Sequence, residues 1–255
     1  MNRIDQLFAS KQTGILNIYC TAGFPALEDT LPVMTALQAH GADMIELGMP
    51  FSDPLADGPV IQDSSTRALQ NGMSLKKLFT QLKDFRKNIH VPVILMGYLN
   101  PVMQFGIEQF LQQCAATGVD GLILPDLPMQ EYEQEYRPLF EKYGLHLIFL
   151  VTPETSEARI RQIDDLSKGF VYAVSSSSTT GKDKDMKGQQ AYFERLKALQ
   201  LKNPVLIGFG IKDKPTFDAA CAYSNGAIIG TAFIKAVENA KDLDGTIKQF
   251  IQSVK

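Results

Sequence analysis

The chain has 255 residues, 45% of them hydrophobic, and a formal charge of -3 with no block of like charge behind it. That balance supplies a substantial core and argues against a nucleic-acid partner. The N-terminus lacks an apolar signal core and no apolar run nears membrane-spanning length, while Cys20, Cys114 and Cys221 are scattered and odd in number. A cytoplasmic protein with reduced, buried thiols is expected.

An amphipathic piece with Ile4, Leu7 and Phe8 comes first and is expected to close the floor of whatever follows. Short apolar runs then recur at 15–20, 44–49, 91–98, 121–124, 145–151, 170–174, 205–209 and 227–229. Each is nearly continuous rather than alternating, as in parallel strands buried on both faces. Helical stripes lie between them: Leu27, Leu31, Met34 and Leu37; Ile107, Phe110, Leu111 and Cys114; Phe193, Leu196 and Leu199. Asp213 followed by Pro215 predicts a helix start.

Eight strands alternating with helices predict an α/β fold, a (β/α)8 TIM barrel with an extra N-terminal helix, in one domain over 1–255. A doubly wound open sheet often carries a Gly-rich turn after its first strand, which is missing here. Two connections exceed what a barrel needs. The first runs from Pro50 to Pro59 into two helices split at Asn71-Gly72; the second spans 175–188 and is almost free of apolar residues. Long loops in compact domains are usually functional, and both leave the C-terminal ends of strands, where barrel enzymes hold their chemistry.

The first of these carries the densest chemistry: Glu46-Leu47-Gly48-Met49-Pro50-Phe51-Ser52-Asp53-Pro54-Leu55-Ala56-Asp57-Gly58-Pro59. Alternation turns Glu46 to the face opposite Ile45 and Leu47, into the barrel mouth, where apolar walls raise a carboxyl pKa as a general acid/base needs. A structural Glu paired with a cation is the alternative, but the apolar strand cores hold no Lys or Arg. Asp57 fits catalysis or ordinary Asp-Gly-Pro turn chemistry, and Asp53 could cap its own loop. Gly208-Phe209-Gly210-Ile211 closes the seventh strand and Gly230-Thr231 the eighth, where this fold cradles phosphate; Gly181 could complete the cradle. His40, His90 and His146 all precede or open strands, on the floor. No strand offers a Schiff-base Lys, and no Cys-His pair or serine elbow occurs. Carbon–carbon cleavage with carboxylates, hydroxyls and a phosphate grip requires a substrate that is its own electron sink.

The segment 46–59 resembles the signature of the tryptophan synthase alpha subunit family. The stretches 175–181, Gly208-Phe209-Gly210 and Gly230-Thr231 fall where that family has its flexible loop and phosphate site, and the similarity covers nearly the whole chain. The resemblance implies retro-aldol cleavage of indole-3-glycerol phosphate to indole and D-glyceraldehyde 3-phosphate, with no metal and no Schiff base. It makes Glu46 the acid/base and Asp57 the group that holds the indole N–H. It implies that Tyr172 orients Glu46, that Thr180 links the closing loop to Asp57, and that Tyr19 lines the indole pocket. Gly181, Phe209, Gly210, Gly230 and Thr231 fall to substrate binding. It further implies an α2β2 complex with a beta subunit that meets Asp53-Pro54 and alone carries pyridoxal phosphate, leaving this chain without a cofactor. Three departures stand out. Ser178-Thr179 occupies the place of a Gly-Val in many members, Thr231 that of a common Ser, and Tyr19 that of a frequent Phe. Because Ser tolerates positive φ poorly, the first departure motivates an alternative: a catalytically weak regulatory subunit that binds the phosphate ligand and activates the beta subunit.

Overall fold

One residue forces the sheet to close. In the computed structural model, which describes residues 1–175, 186–208 and 210–255 (for 186–188, the backbone), nine strands pair in parallel. They are β1 (Ile15–Thr21), β2 (Met44–Gly48), β3 (Val93–Met96), β4 (Gly121–Ile123), β5 (His146–Ile148), β6 (Leu150–Val151), β7 (Val171–Val174), β8 (Val205–Gly208) and β9 (Gly226–Ile229). Their order is β5-β4-β3-β2-β1-β9-β8-β7-β6. β5 and β6 therefore stand at opposite ends of that order, with only Phe149 between them in the chain. Laid flat, eight spacings of ~4.8 Å would part them by about 38 Å, whereas two residues reach only about 7 Å. The sheet must wrap into a barrel.

The eight expected strands are all present, and the fifth run is divided. At Phe149 the chain leaves its pairing with β4 and takes up pairing with β7, whose Tyr172 N–H donates to the Phe149 carbonyl at 3.0 Å. The break is where one tilted strand passes from one neighbour to the other. Burial on both faces explains the unbroken apolar runs: every residue of β1, β2, β3, β7 and β9 is buried.

The helix Arg3–Ser10 closes the floor as expected. Ile4 is fully buried beside Gly121 and Gly169, and Phe8 packs against Phe170 with ring centroids 6.0 Å apart. The helices Pro59–Gln70 and Leu75–Gln81 part at Asn71-Gly72, where the Asn71 amide donates to the carbonyls of Gly23 and Pro25 at 3.0 Å each. Asp213 caps the helix Lys214–Cys221, accepting from the Thr216 N–H at 3.1 Å. The helix Met186–Ala198 takes up the last three residues of the loop expected at 175–188. His40 contacts Asp244 and His146 contacts Asp5, each at 2.9 Å, and His90 precedes β3; all three sit at strand N-terminal ends, away from the mouth. Among the described residues no helix is long and apolar enough to cross a membrane.

Candidate active site

Glu46 is the third residue of β2 and only 1% exposed. A carboxylate so enclosed is costly without compensation. Burial, chiefly, pushes its pKa from 4.5 up to about 8; the Asn17 side-chain amide, donating to Oε2 at 3.1 Å, works against that rise, and the charge of Asp57 adds to it.

Asp57 is brought to the same mouth by the proline-punctuated loop. Its N–H donates to the Pro54 carbonyl at 3.0 Å, its own carbonyl accepts from the Gln62 side chain at 2.9 Å, and Pro59 then opens a helix. The Tyr98 hydroxyl donates to Asp57 Oδ2 at 3.0 Å while accepting from the Ala56 N–H at 2.9 Å. Burial raises the Asp57 pKa from 3.8 to about 6, with the Tyr98 hydrogen bond holding it lower than burial alone would. The charge of Asp57 acts on Glu46. The effect is one-sided in a simple way: Asp57 ionises first, while Glu46 is still neutral, and Glu46 then loses its proton in the presence of an anion. Near pH 7 the mouth holds one neutral acid and one anion, the separation of roles that environment-split carboxyls provide.

Two tyrosines complete the enclosure. Tyr19 lies on β1 beside Glu46 in register, and Tyr172 lies on β7; both hydroxyls are held well above the ordinary phenol pKa by burial and feel the charges of Glu46 and Asp57. Glycine makes room for each ring. A methyl at Gly48 would fall 2.1 Å from the Tyr19 hydroxyl oxygen, and one at Gly208 would fall 2.3 Å from that of Tyr172. Gly208→Ala is expected to displace Tyr172 and to destabilise the chain by about 1–3 kcal/mol, the usual cost of overpacking, measured by urea unfolding.

Part of the region where a phosphate grip is expected is described. Gly208 ends β8, and Gly230 is the N-cap of the helix Thr231–Val237, where it offers no side-chain cap to the first-turn N–H groups. Gly210 adopts φ +79°, with Ser175 Oγ 3.8 Å from where a side chain would begin. Thr180, Gly181 and Phe209 lie outside the described residues, as does Ser178.

The structure therefore brings together Glu46, Asp57, Tyr19 and Tyr172. Asp53 is exposed at the loop tip, whereas Pro54 is buried; the neighbouring Leu55 is 85% exposed and presents the apolar surface there. Sequence reasoning missed two partners of the carboxylates, Asn17 and Tyr98. Asn17 carried the same signal as Glu46, a polar side chain inside an apolar run; Tyr98, at the end of such a run, reads as ordinary core. Among the described residues no three or more His, Cys, Asp or Glu side chains group as metal ligands would.

The chain is similar to known proteins over its whole length. The family model described as tryptophan synthase alpha chain matches residues 6–255. The tryptophan synthase alpha chain of Phocaeicola vulgatus is 52% identical over 257 residues, spanning 100% of both chains. That of Bacteroides thetaiotaomicron is 50% identical, again over 100% of both. The crystal structure of the alpha subunit from Legionella pneumophila superposes with a TM-score of 0.90 at 36% identity, covering 100% of this chain and 97% of that one.

Proposed function

Because this chain belongs to the tryptophan synthase alpha chain family, we propose that Glu46 and Asp57 carry out its reaction. That reaction is the lyase cleavage of indole-3-glycerol phosphate in tryptophan biosynthesis. The split titration of the two carboxyls, about 8 and about 6 in one enclosed mouth, supports the reading most directly.

In this mechanism neutral Glu46 gives its proton to indole carbon 3, which turns the ring into an indoleninium cation. Ionised Asp57 accepts a hydrogen bond from the indole N–H and stabilises the positive charge as it develops. The Glu46 carboxylate then takes the proton of the glycerol hydroxyl next to the scissile bond. That oxygen becomes the aldehyde carbonyl, the carbon–carbon bond breaks, and its electron pair returns to the ring, leaving neutral indole. Glu46 ends as it began, protonated. The indole ring is the electron sink, so the step needs no group beyond the carboxyls and the substrate. Tyr172 limits where Glu46 can move, Tyr19 walls the indole side, and the glycine-rich ends of β8 and β9, through Gly210, Gly230 and Thr231, grip the phosphate. Thr180, Gly181 and Phe209 are assigned to the same substrate contacts.

The chain is read as one barrel domain working in the cytoplasm in an α2β2 complex. Its beta-subunit partner holds the pyridoxal phosphate, and the Asp53-Pro54 loop with exposed Leu55 faces that partner. Steady-state indole release from indole-3-glycerol phosphate, with and without the beta subunit, tests the reading. Release that rises to saturation with added partner is expected. Negligible release at saturating partner would instead favour the regulatory subunit that activates the beta chain.

A further inference from the structure

Asn17 stands out in β1. It is fully buried between Leu16 and Ile18 and pairs in register with Met44, on the same strand face as Tyr19. Its Nδ2 donates to Glu46 Oε2 at 3.1 Å, and its Oδ1 is buried with no hydrogen-bond partner among the described residues. A buried amide oxygen left unpaired destabilises a fold, and an apolar side chain of the same size would pack there without that cost. An amide at this place therefore needs a role that an apolar residue could not fill.

The surroundings of Glu46 define the role. The titratable groups that act on it or feel it are Asp57 from the loop after β2, Tyr19 and Cys20 from β1, and Tyr172 from β7. All are neutral or anionic, so none draws the proton away from Glu46. Asn17 favours the carboxylate from below the mouth, and its unpaired Oδ1 is the acceptor that a protonated Glu46 would need.

We propose that Asn17 is the positioning residue for Glu46: its amide donates to the carboxylate and, turned about its last bond, accepts from the acid. Glu46 is then held at one place in both protonation states. The turn exchanges Nδ2 and Oδ1 and needs no backbone movement, because the terminal torsion of Asn is broad and nearly two-fold. When Glu46 gives its proton to the substrate, Nδ2 faces the new anion; when Glu46 recovers a proton from the glycerol hydroxyl, Oδ1 accepts from it. This inference rests on the reading of Glu46 as proton shuttle.

Its test uses the full chain with Asn17→Leu, nearly isosteric, and Asn17→Val. The readouts are the titration of the Glu46 carboxyl by isotope-edited infrared spectroscopy, assigned by its loss in Glu46→Gln, and the pH dependence of kcat. Both variants are expected to move the Glu46 titration upward by about one pH unit or more, the worth of one hydrogen bond to a charged group. The matching limb of the kcat profile should move with it, and kcat should fall about tenfold while KM changes less than about twofold. A titration that stays in place in a folded variant overturns the proposal. In the unmodified chain the Asn17 side-chain amide resonance should itself titrate together with Glu46, and a resonance flat across that range overturns it without any variant. Full activity in Glu46→Gln would contradict the shuttle reading instead, and would leave the carboxyl titration to judge Asn17 alone.

Discussion

Replacing Glu46 by Gln is expected to lower kcat for indole release by about 10²–10⁴-fold, the range that a positioned general acid/base contributes. Gln keeps the shape of the side chain but cannot pass a proton. The same variant should be the more stable protein in alkali. The folded-state pKa of Glu46 lies above its ordinary 4.5, at about 8, so the native chain holds this proton more tightly than the unfolded chain does. The stability that follows is complete below pH 4.5 and is lost as pH rises through 8. Gln carries no such dependence. Urea unfolding should therefore show parent and variant alike near pH 4 and the variant ahead by about 3–5 kcal/mol near pH 9. Lost activity with gained stability separates catalysis from structural damage.

Asp57→Asn is expected to cost about 10²–10³-fold in kcat, because a neutral amide cannot answer the positive charge that forms on the indole ring. Tyr98 can still donate to the amide oxygen, so the loop should keep its place. A second effect has a definite sign. Asp57 raises the Glu46 pKa, so its removal should shift the limb of the kcat profile that reports Glu46 to lower pH. Steady-state indole release across pH 5–9 reads both effects. Unchanged kcat in this variant would remove Asp57 from the mechanism.

Much of this was legible in the residues. Continuous apolar runs mark strands buried on both faces, and the barrel follows from their number and spacing. Glu46 was visible because a charge inside such a run has few structural excuses, and alternation alone sets the face it occupies. The break at Phe149 was not visible, because a strand changing neighbours keeps its apolar composition; only the register with β4 and β7 reveals it. Pro54 was expected at the partner surface with Asp53, yet it is buried and Leu55 is exposed. Proline stiffens a loop whichever way its ring points, so composition does not say which face turns outward. Tyr98 and the spaces at Gly48 and Gly208 were hidden for a related reason. Each depends on a contact with a neighbouring strand or a distant loop, and sequence order does not record which side chains meet there.

The central claim is that Glu46 is poised to give and regain a proton near neutral pH while Asp57 stays ionised. The most direct test is the carboxyl titration of Glu46 in the unmodified chain, followed by infrared spectroscopy with labelled glutamate and assigned against Glu46→Gln. A midpoint near 8 is predicted. A midpoint near the ordinary glutamate value of 4.5 would mean a carboxylate already ionised at neutral pH, with no proton to give to indole carbon 3, and would contradict the account.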